Sequence, residues 1–459
     1  MIEFNAYFYD LINERVDAYF HKSNKTYHNF VPLSNYVTVK GGKRIPKEKD
    51  FSEQETDFLY LRLSDIVDFE KIDYTKFKHI DNDVYQILKR YEIVENDLAI
   101  SIAGTIGRVI LLKNTPQKKK IILTENCALL ALKDKEVLVE YLRIVLELPL
   151  VQEQISRNRI QTTIPKIGLD RISRLQIPQI PPKKIQQQIV DLHSRTVEEK
   201  QAKEQEANAL FAGIDDYLLS ELGIELPKDA KNERFFEVNI EDVIGKRLDP
   251  FYNQKYFENI LSAINKSKYE TQLLSKIILS YKKGIEVGSN EYIMEGIPFV
   301  RVADINDFLV NTENADKKIS RQKFDALKQD YQPKVGEILY SKDGTIGLSV
   351  VVEQESNYII SGGIMRIICN SSVNNYFLKH TLSTKLYKEL ANRVSIGAVI
   401  KHLNINKWLK ILIPLPPIEK QNEIAEHIQS IRAKAKQLQE EAREILAKTK
   451  IEIEKMIIQ

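Results

Sequence analysis

An α+β fold is expected, made of two pseudo-symmetric globular domains separated by two long antiparallel coiled-coil helices. Three observations lead there. The chain repeats itself at a period close to half its length, each repeat closes on a long stretch of helical texture, and the second stretch carries a heptad of apolar residues.

The repeat is carried by four blocks in the same order. Arg15-Val16-Asp17-Ala18-Tyr19-Phe20 returns as Arg247-Leu248-Asp249-Pro250-Phe251-Tyr252, 232 positions later. Tyr60-Leu61-Arg62-Leu63-Ser64-Asp65-Ile66 returns as Phe299-Val300-Arg301-Val302-Ala303-Asp304-Ile305 at a shift of 239, and Gly104-Thr105-Ile106-Gly107 as Gly344-Thr345-Ile346-Gly347 at 240. Pro181-Pro182, followed by Gln186, returns as Pro416-Pro417, followed by Gln421, at 235. The small drift marks loop insertions between otherwise matching units.

Each half divides at its Pro-Pro. Upstream, short runs of Ile, Leu and Val broken by Gly-Thr-Ile-Gly read as strands joined by tight turns, with helical segments around 139–157 and 375–391. Downstream, 183–222 and 418–458 are dense in Glu, Lys, Gln and Ala, hold no Pro, and contain Gly only at Gly213. A first-turn Pro costs a helix no hydrogen bond, and Gly223 stands where a C-terminal cap belongs. The expected boundaries are a first globular domain over 1–182, a helix over 183–222, a linker over 223–231, a second globular domain over 232–417 and a second helix over 418–459.

In the second helix Ile424, Ile428, Ile431, Ala435, Leu438, Ala442, Ile445 and Thr449 alternate steps of four and three, a coiled-coil seam. The first helix is less regular: Ile185, Ile189, Leu192, Leu210, Ile214 and Leu218 hold a stripe at both ends while 198–206 is polar. At about 1.5 Å per residue such helices run to about 60 Å, longer than one domain's core, so each needs a long partner. Antiparallel pairing of the two would relate the halves by a pseudo-twofold axis and present two similar surfaces a fixed distance apart.

Composition excludes more than it names. The 67 Lys and Arg against 64 Asp and Glu leave a net charge of +3, so an anionic partner would have to be met by local clusters. The two cysteines, Cys127 and Cys369, are too few for a disulfide framework, which points to a reducing compartment, and the opening residues carry acids where a secretory signal is basic. A cytoplasmic protein without a membrane span is expected. An amino-methyltransferase would need an Asn/Asp-Pro-Pro-aromatic loop, and a translocase a Gly-x-x-x-x-Gly-Lys-Ser/Thr loop; the chain has neither. Glu198-Glu199-Lys200 sits in a charged helix face and reads as solvated surface, and the seven His are scattered without companion ligands.

The ordered motifs resemble those of the specificity (S) subunit of type I restriction-modification systems, over nearly the whole chain. They are Lys40-Gly41-Gly42-Lys43-Arg44-Ile45-Pro46, Arg62-Leu63-Ser64-Asp65-Ile66, Gly104-Thr105-Ile106-Gly107 and Ile177-Pro178-Gln179-Ile180-Pro181-Pro182. The second half gives Arg301-Val302-Ala303-Asp304-Ile305, Gly344-Thr345-Ile346-Gly347 and Ile413-Pro414-Leu415-Pro416-Pro417-Ile418-Glu419-Lys420-Gln421. Two places depart from the pattern: Gly168-Leu169-Asp170 replaces the Asn-Leu step, and Lys282-Lys283-Gly284 lacks the expected Pro. The resemblance implies two target recognition domains and a non-catalytic reader of double-stranded DNA. It also implies docking of two methyltransferase (modification) subunits, with restriction/translocase subunits as optional further partners. No cofactor is expected on this chain, S-adenosylmethionine belonging to the methyltransferase.

For base reading, Arg suits guanine and Gln or Asn suits adenine. The expected DNA-binding residues are Lys43, Arg44, Arg62, Arg108, Arg157, Arg159, Gln161 and Lys166 in the first half, and Lys282, Lys283, Arg301, Lys342, Arg393, Lys401 and His402 in the second. The Gly-Thr-Ile-Gly turns read first as structure, with a phosphate contact through their amides as a compatible second role. Arg62 and Arg301 read first as surface ion pairs. Ile185, Ile189, Leu192, Leu210, Ile214, Ile424, Ile428, Ile431, Leu438 and Ile445 form the helix seam and the subunit-docking surface. The expected mechanism is bipartite readout: each globule reads a few base pairs, and the helix pair sets the gap near one turn of duplex, about 10 bp. The rival from another class is a coiled-coil scaffold that does not bind DNA, and a weaker one is a fragment of a fused restriction-modification enzyme.

Overall fold

The computed structural model describes residues 29–66, 69, 71–158, 165–226, 236–244, 249–307, 309–397 and 400–458. The chain divides into two compact units, residues 1–205 with 438–459, and residues 206–437.

Strands of the first unit are β1 (Phe30–Pro32), β2 (Val37–Gly41), β3 (Phe58–Leu61), β4 (Lys78–His79), β5 (Glu92–Ile93), β6 (Leu98–Ser101), β7 (Val109–Leu111), β8 (Lys120–Leu123), β9 (Cys127–Leu132) and β10 (Gln176–Pro178). They form an antiparallel sheet of order β2-β9-β6-β7 and a mixed sheet of order β4-β3-β8-β5, in which β3 runs parallel to β8 from Phe58↔Lys120 to Leu61↔Leu123. Strand β6 is buried on both faces because alternate residues point opposite ways. Leu98 and Ile100 join the core that includes Tyr141, Leu142 and Val151, while Ala99 joins a second core with Leu59, Leu61 and Ile121. The helices are α1 (Asn82–Leu88), α2 (Val139–Glu147), α3 (Pro149–Asn158), the short α4 (Leu169–Ser173) and the long α5 (Lys183–Leu222).

The second unit repeats this plan. Its helices begin with α6 (Ile240–Val243), α7 (Lys255–Asn265) and α8 (Leu274–Ile277), and its strands are β11 (Thr271–Leu273), β12 (Ile278–Lys283), β13 (Tyr292–Ile293), β14 (Ile297–Val300), β15 (Lys318–Ile319), β16 (Ile338–Ser341), β17 (Ser349–Val351), β18 (Ile359–Ile360), β19 (Ile364–Cys369), β20 (Ser395–Ile396), β21 (His402–Leu403) and β22 (Leu412–Pro414). The antiparallel sheet has the order β12-β19-β16-β17, and the mixed sheet again holds one parallel pair, β14 with β18 at Phe299↔Ile359. Strand β16 splits its faces as β6 does, Ile338 and Tyr340 to one core and Leu339 to another. Helices α9 (Arg321–Tyr331), α10 (Asn375–Ser383), α11 (Lys385–Arg393), α12 (Ile405–Trp408) and the long α13 (Ile418–Ile458) complete it.

The Gln of each closing motif ties the long helix to its globule. Gln186, 1% exposed, accepts from the Leu138 amide (2.8 Å) and donates to the carbonyls of Glu136 (3.0 Å) and Pro181 (2.8 Å). Gln421, also 1% exposed, accepts from the Asn374 amide (2.9 Å) and donates to the carbonyls of Ser372 (3.1 Å) and Pro416 (2.8 Å).

Within the first unit the two long helices run antiparallel, with Thr196 opposite Thr449 and Lys203 Nζ 2.8 Å from Glu441. Within the second the same holds, with Tyr217 against His427 (ring centroids 4.4 Å apart) and Glu221 2.7 Å from Lys420 Nζ. The apolar stripes serve the globular cores as much as each other. Ile189 and Ile453 are fully buried in the first unit's core, with Leu192 packed against it. Leu218, Leu222, Ile424 and Ile428 are buried in the second unit's core, with Ile214 packed against it. Leu438 is buried, Leu210, Ile431 and Ile445 are half-buried, and Ile185 is 37% exposed.

Candidate nucleic-acid interface

Of the expected basic residues, Lys43, Arg44, Arg62, Arg301 and Lys342 stand just past the ends of strands β2, β3, β14 and β16. In the first unit the chain after β2 crosses the β8–β9 connection at Gly42, whose amide donates to Cys127 O (2.9 Å). Only glycine fits, since a Cβ there would lie 2.1 Å from Thr124 O. The crossing sets Lys43, exposed, beside Leu123, whose carbonyl accepts its amide (3.1 Å), and sends Arg44 over Glu125. Arg44, Phe51, Tyr60, Arg62, Thr105 and Glu125 line a groove of about 480 Å³.

Glu125 organises that groove. Its carboxylate accepts from Arg44 Nε (2.6 Å), Tyr60 Oη (3.1 Å) and Thr124 Oγ1 (3.0 Å). Burial raises the carboxyl's pKa, but the hydrogen bonds from Arg44, its own amide, Thr124 and Tyr60 outweigh it and hold the group below the usual carboxylate range. Burial, the larger cause, pushes Tyr60 up to about 12. Arg62 is held differently: Nε and Nη2 bind both oxygens of Asp65 at 2.9 and 2.6 Å, and the guanidinium lies over Phe51. Such a bidentate clamp uses the fork that a base edge or phosphate would need.

The Gly-Thr-Ile-Gly turns are built alike in the two units. Ser101 Oγ donates to Thr105 O and accepts from the Arg108 amide (2.5 and 2.8 Å), as Ser341 Oγ does with Thr345 O and the Leu348 amide (2.6 and 2.8 Å). All four glycines have positive φ. The first amide of each turn is spent on the neighbouring loop, Gly104 N to Pro165 O (3.0 Å) and Gly344 N to Lys401 O (2.9 Å). The second is spent on the strand, Gly107 N to Ser101 O and Gly347 N to Ser341 O, so these four amides hold the fold and not a phosphate. Arg108 is exposed with its guanidinium 5.5 Å from the Phe69 ring, Lys166 is exposed opposite Ala103, and Arg157 is half-buried in the last turn of α3. Arg159 and Gln161 lie outside the described residues.

In the second unit Gly284 makes the same crossing, with its amide on Ile364 O (2.9 Å) and a would-be Cβ 2.2 Å from Ser361 O. Ile285 N then reaches Ile360 O (3.1 Å), as Lys43 N reaches Leu123 O. The residues at the places of Lys43 and Arg44 are therefore Ile285 and Glu286. Lys282 and Lys283 end strand β12, one step earlier; Lys282 pairs with Asp330 (2.6 Å) over the Tyr331 ring, and Lys283 is exposed. Arg301 reaches Asp316 (3.0 Å) and Asp304 (3.9 Å). Asp343 gathers Lys342 (2.5 Å) and His402 Nδ1 (2.8 Å), and His402 stands opposite Asp343 as Lys166 stands opposite Ala103. Lys401 Nζ donates to Asn392 Oδ1 (3.1 Å). Arg393 is half-buried against the Tyr252 and Phe257 rings with Nε on Tyr252 O (2.8 Å). A search for basic residues overlooked the acids, Glu125, Glu286 and Asp343; aligning Gly42 with Gly284 would have brought Glu286 out. Where Gly168 replaces Asn, α4 lacks the side-chain cap that Asn404 gives α12 through the Lys407 amide (3.1 Å).

A tandem α+β repeat with a polar, mixed-charge tip on each unit and a long helix running out of each globule defines a class of internally duplicated proteins. The chain belongs to the type I restriction modification DNA specificity domain family, whose model matches residues 28–210 and 278–447. It is similar to a type I restriction enzyme specificity subunit of Haemophilus influenzae, 31% identical over 130 residues, which are 28% of this chain and 31% of that one. It is also similar to the type I restriction enzyme EcoBI specificity subunit of Escherichia coli, 28% identical over 157 residues, 34% of this chain and 33% of that one. The chain thus spans about a third of the length of each of these curated relatives. Among solved structures it resembles one described as the structural basis of complex assembly and conformational transition of the type I R-M system. That match has a TM-score of 0.55 at 17% identity over 94% of this chain and 96% of that chain. The S subunit from M. genitalium matches with a TM-score of 0.42 at 14% identity over 95% and 96% of the two chains. No described helix is long and apolar enough to cross a membrane.

Proposed function

We propose that the chain reads a split double-stranded DNA target. The globular part over 1–182 reads one half and that over 232–417 the other, while the helices at 183–222 and 418–459 set the gap and dock two methyltransferase subunits. The methyltransferases bring S-adenosylmethionine and the chemistry, with restriction/translocase subunits as optional further partners. One observation carries the reading: Gly42 and Gly284 make the same crossing in the two units, yet the side chains they deliver to the tips differ, Arg44 in one and Glu286 in the other. Preserved framework with altered tips is what two readers of different sequences require. A structural match described in terms of type I R-M complex assembly supports partner docking, and membership of a DNA specificity family disfavours a scaffold that leaves DNA alone.

The test is methylation mapping. This chain, expressed with its cognate methyltransferase subunit in a methylation-free host, is expected to mark one two-part motif with a fixed gap near one helical turn, about 10 bp. Removing one heptad from both helices should shift that gap; an unchanged gap rejects the spacer role, and a single uninterrupted motif rejects bipartite reading. Binding to duplex should fall steeply with salt as phosphate counterions are released.

A further inference from the structure

We infer that one backbone position, repeated in the two units, reads a G·C pair from opposite edges: Arg44 takes the guanine in one half-target and Glu286 takes the cytosine in the other. This rests on the DNA-reading role proposed above. The equivalence of the positions follows from backbone geometry alone. Gly42 and Gly284 each donate to the first residue of the following sheet strand, Cys127 and Ile364, and each would drive a Cβ into the carbonyl at the β8–β9 or β18–β19 junction, Thr124 or Ser361. The next residues, Lys43 and Ile285, donate to Leu123 O and Ile360 O at the same 3.1 Å. Arg44 and Glu286 are thus the second residues past identical pivots, and facing them stand Glu125 and Gly362.

In the first unit the guanidinium is aimed. Glu125 holds Nε, and is itself fixed by Tyr60 and Thr124, so the guanidinium of an otherwise exposed Arg44 is anchored through Nε. Two parallel donors on a braced fork match O6 and N7 of guanine, which no other base offers as a pair of acceptors in the major groove. In the second unit the bracing acid is gone: Gly362 stands in the place of Glu125, and the Glu286 carboxylate packs over it, with Oε1 2.4 Å from where a Cβ would lie. The exposed Glu286 carboxylate is an acceptor only, and the major-groove donor it matches at a G·C pair is the N4 amino group of cytosine. Glu125 is a positioning residue in this scheme; Arg44 and Glu286 touch the bases.

The experiment is motif mapping of this chain together with its methyltransferase subunit, wild type against variants, in the same host DNA. Arg44→Ala should relax one guanine position of one half-target, lowering discrimination there roughly tenfold to a hundredfold, and leave the other half unchanged. Glu286→Ala should relax one cytosine position of the other half by a similar factor. Arg44→Lys, which keeps the charge but loses the fork, should relax the same guanine, and Glu125→Gln should weaken it less. The inference is overturned if the relaxed position is not a G·C pair, or if methylation falls evenly at every sequence in variants whose thermal melts match wild type, the mark of a phosphate contact. Should Arg44→Ala fail to fold, the Lys and Gln variants decide by the same criterion. A wild-type chain that gives no split motif refutes the DNA-reading role itself, whereas a split motif untouched by these variants refutes only the assignment.

Discussion

Thr196 and Thr449 meet across the two long helices with their hydroxyls 3.1 Å apart, both buried, Thr449 between the buried Ala442 and Ile453 and Thr196 between the buried Ile189 and Ala207, with His193 one turn before it. Thr196 Oγ1 also donates to Leu192 O (3.0 Å), so Thr449 is the donor in the pair. A polar pair at one level of an apolar seam penalises any slip that would set a hydroxyl against a methyl group, and so fixes register. Thr196→Val or Thr449→Val should each cost about 1 kcal/mol, while the double variant, leaving no hydroxyl unpaired, should lie close to wild type. Denaturation midpoints of the four proteins close the cycle. Costs that simply add would show that the hydroxyls are not coupled.

The Gln186 and Gln421 clamps lead to a sharper expectation. Each amide satisfies one N–H and two carbonyls that sit where a long helix leaves its globule. Truncation to Ala strands these groups away from water at about 1–3 kcal/mol in all, and nothing nearby replaces them. Gln186→Ala should lower the melting of the first unit and Gln421→Ala that of the second. Glu at either place retains the acceptor but loses the donor to two carbonyls, and should not rescue. Hydrogen exchange at Leu138 and Asn374 reads each clamp locally, and unchanged protection in the Ala variants would refute it.

Glycine substitution separates two kinds of constraint. At Gly42 the obstacle is a carbonyl 2.1 Å from a new Cβ, whereas Gly104, at φ +75°, has nothing within 4 Å. Gly104→Ala should therefore cost only the left-handed conformation, about 1–2 kcal/mol. Gly42→Ala forces the β8–β9 connection apart and should cost more, with Arg44 displaced from Glu125. Comparable losses in stability for the two would mean that the crossing yields more readily than its contacts imply.

Much of this architecture was legible in the sequence because duplication compares a chain with itself. The four blocks that returned in order are the ones with structural duties: the Gly-Thr-Ile-Gly turns, the Gln clamps, and the Arg-x-x-Asp step in which Arg62 grips Asp65. The helices were legible from texture, and the seam from its heptad. What sequence could not show is that the stripe residues near both ends of each long helix, such as Ile189 and Ile428, are shared with a globular core, since spacing reports a buried face and not what covers it. At the tips, reading by charge favoured Lys282 and Lys283, but backbone crossing at Gly284 passes the tip position to Glu286. Charge is a poor guide there because Arg44 and Arg62 are each already bound to a carboxylate, Glu125 and Asp65.

A buried lysine makes the second unit's stability depend on pH in a definite direction. Lys379, on α10, is 3% exposed, with Nζ donating to Asp307 O at 2.7 Å. Burial above all, with help from Arg432 and Lys388 against Asp307 and Glu353, pushes its ammonium down to about 7. In the unfolded chain the same group titrates near 10.4. Between these values the unfolded state holds a proton that the folded state does not, so stability rises with pH from about 7 to about 10 and is flat, at its lower level, beneath that window. His380, pushed down by burial and by the neighbouring Lys379 and Arg432, acts in the same sense at lower pH, costing stability as the pH falls below about 6.5. Cys369, whose thiol burial pushes up to about 12, opposes the trend above about pH 8.5, and Tyr340 and Tyr387, raised by burial, add to it above about pH 10, so the useful window ends near about 8.5. Lys379→Met keeps the length of the side chain and removes the charge; the Asp307 carbonyl retains Arg432 Nη2 as a donor at 3.1 Å, so the loop stays tied. Thermal melts of the full chain between about pH 7 and 8.5 should show the second unit's midpoint climbing in wild type and nearly level in the variant. Equal slopes in the two proteins would mean that Lys379 carries its proton in the folded state throughout that range.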